Sequence, residues 1–219
     1  LDDIKVSLGV SDVSDAFHRM RIPLAFSRYF CLPAVTAGEM GLAGTWLNGT
    51  LLTKESRLCP AAGSLPMGFS WSLFFCQQAV TESVQSSSQM RGTPLLSDRS
   101  GSLVFDATAR RSDIAPRGSG CRKGGYVYVD NLGVLGLIMG EVGEAVDGIS
   151  RQLDSQGLTT HERDITETAT RTLGVTVYGT RLETRCDPRR LWTIRRAIEW
   201  GLQCRQLAGW TWEVIVGHA

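Results

Sequence analysis

The chain has no CxxC pair, no long apolar run and no surplus of charge of either sign. Each absence removes a class of protein. Six cysteines (31, 59, 76, 121, 186 and 204) stand singly, which excludes a zinc module and a dense disulfide framework and leads us to expect a reduced, intracellular protein of the nucleus or cytoplasm. The longest apolar run falls far short of the roughly 20 residues that cross a bilayer, and Leu1 opens no signal peptide, so no membrane role is expected. With 23 basic and 22 acidic residues, bulk charge does not announce a nucleic-acid binder. The balance is uneven, however: from Arg181 to Ala219 seven arginines face four acidic residues (Glu183, Asp187, Glu199 and Glu213). No internal repeat is visible. Without an initiator methionine, the chain is expected to be a segment of a longer one.

What is present suffices for one substantial core with a small appendage: 219 residues, 42% of them hydrophobic. The organising stretch is Tyr126-Val127-Tyr128-Val129-Asp130-Asn131-Leu132-Gly133-Val134-Leu135, two β-prone runs around a polar dipeptide. This predicts a hairpin with Asp130-Asn131 at its tip, and taken alone Asp-Asn is only a turn signal. A second carboxylate site has the same setting. Ile4, Val6, Leu8 and Val10 alternate with polar or small residues, the period of a half-buried strand, and Asp12 falls where the next apolar residue is due. A carboxylate there must sit at the strand's exposed end or have a partner. Two carboxylates at strand ends form a candidate divalent-metal site.

The rest of the chain is read in order. Asp15 is placed to cap a short segment, Ala16 to Met20. His18 reads as a surface residue, because no second His or Cys lies at ligand spacing. Arg28 to Val35 reads as a strand, and Asn48-Gly49 as a hairpin turn with Thr50 to Cys59 as the returning strand. Pro66 and Gly68 precede a helix capped by Ser70 or Ser72 and running to about Val84, with Leu73, Cys76, Val80 and Val84 on one face. Residues 85–125 have loop composition, apart from Leu103-Val104-Phe105, and read as a long mobile insertion. Its Arg110, Arg111, Arg117, Arg122 and Lys123 read as a solvated set, with phosphate contact as the sharper alternative. Val142 to Gln156 fits a helix with Gly157 as its C-terminal cap, Leu158 to Thr160 starts a short strand, and Thr172 to Gly179 is a strand. Pro188 starts a helix to about Leu207, with an apolar stripe of Leu191, Ile194, Ile198 and Leu202 among many arginines. The order gives an α+β fold, a mainly antiparallel sheet with helices packed on one face.

Three segments, in order, resemble the reverse transcriptases. Ser11-Asp12-Val13-Ser14-Asp15-Ala16-Phe17 resembles their first palm motif, Leu65-Pro66-Met67-Gly68-Phe69-Ser70-Trp71-Ser72 their LPxGxxxS motif, and Tyr128-Val129-Asp130-Asn131 their YxDD hairpin. Gly157 to Thr160 is similar to the segment after the palm helix, and Leu173 to Gly179 to the primer-grip region. The resemblance covers about residues 4 to 180 and is closer to retrotransposon than to retroviral enzymes.

The resemblance implies a polymerase palm over residues 1–180, a basic helical thumb-like or connecting segment over 181–219, and fingers that are largely missing. It implies an RNA-directed DNA polymerase that uses Mg²⁺ or Mn²⁺ to add dNTPs to a primer on an RNA or DNA template. Asp12, Asp130 and Asn131 fall at the catalytic positions, with Asp12, Asp130 and the carbonyl of Val13 as metal ligands. Asp15, Ala16, Phe17, Met67 and Gly68 fall at the nucleotide site, where Phe17 is the steric gate against a 2′-OH. Tyr128, Arg189, Arg190, Arg195 and Arg196 fall where primer and template are held. Two departures stand out: Asn131 replaces the second hairpin aspartate, and Met67 stands where many members have Gln. The first favours weakened or Mn²⁺-shifted catalysis. The alternative is an inactive palm that binds nucleic acid or serves as structure. An RNA-templated RNA polymerase is a third reading, against which Phe17 argues.

Overall fold

A computed structural model describes residues 4–97, 104–106, 120–204 and 206–218. Strand β1 (Ser7–Val13) is followed by two single-turn helices, α1 (Ala16–Arg19) and α2 (Leu24–Ser27). Two small ribbons come next: β2 (Val35–Thr36) pairs with β5 (Arg57–Leu58), and β3 (Trp46–Leu47) with β4 (Thr50–Leu51). Helix α3 (Ser72–Ser86) leads to β6 (Leu95–Leu96), the hairpin β7 (Lys123–Tyr128) and β8 (Asn131–Gly136), then helix α4 (Met139–Ser155) and β9 (Thr160–Thr166). A second sheet holds β10 (Thr170–Thr172), β11 (Val175–Tyr178) and β12 (Glu183–Cys186), and the helices α5 (Pro188–Gln203) and α6 (Gly209–His218) end the described chain.

The central sheet runs β6-β7-β8-β1-β9. It is mixed, which corrects the expected antiparallel sheet at one edge: β6 lies parallel to β7, while the other three pairings are antiparallel. The parallel edge arises because the chain returns from α3 through Leu95–Leu96 before it crosses to β7. Residues 85–125 are therefore not all insertion. Ser86 closes α3, Met90 is buried in the core, and Lys123 to Gly125 form the start of β7. Most of the remainder, with Arg110, Arg111 and Arg117, lies outside the described residues.

Helices α3 and α4 cover one face of this sheet. Cys76, Val80 and Val84 of α3 and Val142, Ala145, Val146, Ile149 and Leu153 of α4 join Val13, Leu132 and Val134 in one core. Leu73 was expected there but is 56% exposed. On β1 the helix-facing side is the small-residue side. A Cβ on Gly9 would meet Val146 Cγ2 at 2.6 Å and Val142 Cγ1 at 2.9 Å. This close approach requires glycine, and Gly9→Ala is expected to cost about 1–3 kcal/mol through overpacking, measured by chemical denaturation. Strand alternation then puts Leu8, Val10 and Asp12 on the opposite face.

Other expectations are corrected locally. Arg28 to Val35 is not a strand: α2 ends at Ser27 and a turn follows, and apart from an isolated bridge from Cys31 to Ala61 only Val35–Thr36 pairs. Thr172 to Gly179 is a hairpin rather than one strand, because Leu173 (φ 48°) and Gly174 (φ 79°) make a left-handed turn between β10 and β11. Helix α5 starts at Pro188 with Asp187 as its cap, whose carboxylate accepts the Arg189 N–H at 2.8 Å. It ends at Gln203, and its apolar stripe is largely uncovered, with Leu202 78% exposed. The Asn48-Gly49 turn forms as expected. All six cysteines are free thiols. No helix among the described residues is long and apolar enough to cross a membrane.

Candidate functional site

Ladder register brings four polar side chains into one row. Tyr128 on β7 lies opposite Asn131 on β8, Asn131 opposite Asp12 on β1, and Asp12 opposite His161 on β9. The row lies at the strand ends, on the sheet face away from α4. Tyr128 is 61% exposed. Between Val10 and Asp12 the β1–β9 ladder bulges: only Ser11 stands on β1, opposite Glu162 and Arg163 on β9. Ser11 Oγ donates to the His161 carbonyl at 3.0 Å, closing this irregularity.

The hairpin tip is shifted one residue from its expected place. The turn residues are Val129 and Asp130, and Asn131 is already the first residue of β8. Val129 is held at φ 60°, a left-handed conformation that is a genuine outlier for a β-branched residue. What holds it is Gln77 of α3. The Val129 N–H donates to Gln77 Oε1 at 2.7 Å, and Gln77 Nε2 donates to the Val127 carbonyl at 2.9 Å. The Val13 N–H in turn donates to the Asp130 carbonyl at 3.0 Å, stitching the tip to the end of β1. Asn131 Nδ2 donates to Asp130 Oδ1 at 3.0 Å.

These connections set the electrostatics of Asp12. Burial raises its pKa above the usual carboxylate range, the Asp130 charge raises it further, and Glu162 acts in the same direction. His161 and the Val13 N–H oppose the rise. Asp12 Oδ1 is sealed from solvent with no hydrogen-bond partner. A buried carboxylate oxygen without a donor, among other carboxylates, is unfavourable for the bare protein and suits a divalent cation with hard oxygen ligands. The donor set therefore fits the metal that the resemblance implies. Cys76, buried in α3, has its thiol pushed up to about 11 by burial, with Asp130 contributing, and is no nucleophile at neutral pH.

The other candidates from the sequence fall around this row. Asp15 occupies the N-cap of α1 in a left-handed conformation, φ 51°, with its side chain exposed and not capping. Ala16 is buried in the core, and Phe17 is half-buried and packed against it. The Leu65–Ser72 loop is fixed to α1 through the Leu65 N–H, which donates to the Met20 carbonyl at 2.9 Å. At its far end Ser72 Oγ donates to the Pro66 carbonyl at 2.7 Å, while Trp71 rather than a serine occupies the N-cap. Gly68 has φ 91° and Met67 is 72% exposed, and no described hydrogen bond joins either residue to the aspartates. Arg189, Arg190, Arg195 and Arg196 lie exposed on α5. Arg195 pairs with Glu199 at 2.7 Å and stacks on Trp192, and Arg190 lies against the Gly174 turn. His18 is exposed, as expected.

Three residues of the site were not anticipated: Gln77, His161 and Glu162. In sequence Gln77 is one of two adjacent glutamines on a helix, and His161 stands in a polar run. Only the ladder and the helix–hairpin contact reveal their roles.

No protein-family model and no curated protein sequence matches the chain. Among solved structures it is similar to telomerase from Candida albicans in complex with a TWJ fragment of telomeric RNA, at 12% identity and TM-score 0.46, covering 84% of this chain and 31% of that one. It is also similar to apo telomerase from Candida tropicalis truncated from its C-terminal domain, at 11% identity and TM-score 0.48, covering 83% of this chain and 35% of that one. The chain thus spans about a third of each of these structures. At this distance, no residue role or partner passes from those proteins to this one.

Proposed function

We propose that this chain carries the palm of an RNA-directed DNA polymerase of retroelement type, with Asp12 and Asp130 as its metal-holding carboxylates. The observation that carries the reading is local. Asp12, near the end of β1, lies opposite Asn131 of β8, so Asp130 in the turn just before β8 acts on it through its charge, and Asp12 has a buried, unpartnered oxygen. Divalent ions bound there would supply the clamp on attacking and leaving oxygens that phosphoryl transfer needs. The chain's own residues do the positioning. The β1–β8 register sets Asp12 beside the hairpin tip, the Val13 N–H ties the Asp130 carbonyl to the end of β1, and Gln77 fixes the tip's backbone. Phe17 has a ring seated against the core, so it presents a stiff apolar surface beside Asp15. Tyr128 and the arginines of α5 are the groups for primer and template. The substrates are dNTPs and a primed RNA or DNA template.

A second reading is supported by one observation: the Asn131 amide already occupies Asp130 Oδ1. On that reading the hairpin carboxylate is engaged by a neutral amide in place of a metal, and the palm persists as a nucleic-acid-binding or structural module. Primer extension on an RNA template with dNTPs, in Mg²⁺ and then Mn²⁺, separates the two. Extension by the parent that is lost in Asp12→Ala supports the polymerase. Extension only by Asn131→Asp supports an intact palm silenced at one residue. No extension by either, with folded protein, overturns the polymerase reading. In an active enzyme, Phe17→Ala is expected to relax discrimination against NTPs by on the order of 10–100-fold, since a site that excludes one hydroxyl by shape loses that steric term. The ratio of kcat/KM for dNTP and NTP measures it.

A further inference from the structure

Asp12 has neighbours on both sides. Toward β8 it meets Asp130. Toward β9 it faces His161 and Glu162, and the ligand atoms of Asp12, His161 and Glu162 all lie within 4.8 Å of one another. His161 Nε2 is 3.8 Å from Asp12 Oδ2 and 3.8 Å from Glu162 Oε1. Its other ring nitrogen, Nδ1, lies 2.9 Å from Ser14 Oγ. Among the described residues, no lysine or arginine forms an ion pair with Asp12 or Glu162, so no fixed cation neutralises the pair. The fully buried Asp12 Oδ1 has no donor.

We propose that Asp12, His161 and Glu162 form a divalent-cation site of mixed imidazole and carboxylate character, in which Asp12 is shared between the β8 side and the β9 side. This rests on the reading of Asp12 as a metal ligand. It supplies what the Asn131 replacement removes: the third ligand comes from β9 instead of from the hairpin. The chemistry has two consequences. First, a metal on Nε2 requires the proton on Nδ1, and Ser14 Oγ is placed to accept that N–H, so Ser14 is a positioning residue that fixes the tautomer. Second, an imidazole nitrogen in the set favours first-row transition ions over Mg²⁺, so the site takes Mn²⁺ in preference to Mg²⁺. Its place at the bulge follows from topology: Ser11 Oγ holds the His161 carbonyl, which fixes the backbone from which the ring projects.

The test is Mn²⁺ binding to the whole chain followed by electron paramagnetic resonance, read for nitrogen hyperfine coupling. The expected result is one Mn²⁺ with a histidine nitrogen in its shell. The coupling should be lost in both His161→Ala and His161→Gln, and binding should be lost in Asp12→Ala. Ser14→Ala should keep the coupling while weakening Mn²⁺ affinity about 10–100-fold. Circular dichroism confirms the fold of each variant. Asp12-dependent Mn²⁺ without nitrogen coupling overturns this proposal and leaves the polymerase reading intact, with His161 only an ion-pair partner. Nitrogen coupling without any primer extension supports the cation site and sinks the polymerase reading. Absence of Asp12-dependent Mn²⁺ binding overturns the proposed cation site.

Discussion

Replacing Asp12 by asparagine should abolish primer extension and, in the same variant, make the metal-free protein more resistant to heat. On the proposed function, the loss of activity follows from removing a charged metal ligand that an amide cannot replace. We expect a fall on the order of 10³-fold or more, equivalent to about 4 kcal/mol of barrier. The gain in stability follows from the electrostatics. The Asp12 carboxyl is raised above its ordinary pKa, by burial first and by the Asp130 charge second. The folded state therefore holds that proton more tightly than the unfolded state does. Its favourable share of stability is present below the unfolded pKa and is lost as pH rises through the raised folded value. In the absence of divalent ions, Asp12 should thus contribute a decline in melting temperature over this acidic window. The Asp12→Asn variant, with no carboxyl to titrate, should lack that part of the decline. Added Mn²⁺ should restore stability to the parent, because a ligand that binds only the folded state stabilises it by mass action. It should do nothing for Asp12→Asn. A parent that melts identically with and without Mn²⁺ would remove Asp12 from the metal site.

Gln77→Leu should damage the site without touching either aspartate. Gln77 is the one side chain that satisfies both the Val129 N–H and the Val127 carbonyl. Leucine keeps the volume and the helix propensity but leaves two part-buried backbone groups unsatisfied, at a cost of about 2–3 kcal/mol. It also releases Val129 from a left-handed conformation that it adopts only under constraint. The tip that carries Asp130 then loses its fixed geometry, and misplacement of a reacting group by about 1 Å can cost on the order of 10²-fold in rate. Gln77→Glu is the discriminating control. It keeps the acceptor for Val129 and loses the donor to Val127, so an intermediate effect is expected. Val129→Gly relieves the strain and should partly rescue Gln77→Leu, by about 1 kcal/mol in stability. Denaturant unfolding of the two single variants and the double variant yields the coupling. Additivity would show that the clamp and the strained turn are independent.

The features legible in the sequence are those with local causes. The hairpin around Asp130, the strand that carries Asp12, the helix expected over Val142 to Gln156 with its apolar stripe, the Gly157 cap and the Pro188 helix start all come from periodicity and punctuation within about 15 residues. The features that were not legible depend on pairing. The parallel edge at Leu95–Leu96 is two residues long and has no pattern of its own. The turn at Leu173-Gly174 was hidden because a strand and a tight hairpin share the same β-branched composition. His161 became a neighbour of Asp12 only through the β1–β9 register, across about 150 residues of chain. The burial of β1 also runs against simple alternation. Its small-residue face is packed against α4, while the apolar register of Leu8 and Val10 carries Asp12 on the other side.

Because Tyr128, Asn131, Asp12 and His161 are joined by ladder register and not by sequence, the site tolerates exchanged letters better than changed counts. Deleting one residue from Leu8 to Ser11 would flip the parity of β1 and turn Asp12 toward Val142 and Val146, as if the carboxylate had been mutated away. The same deletion between Val35 and Arg57, among ribbons two residues long, would leave the row in step. Length variation along a lineage that keeps the site should therefore gather in residues 35–57 and avoid the four strands, a record of function written in gaps.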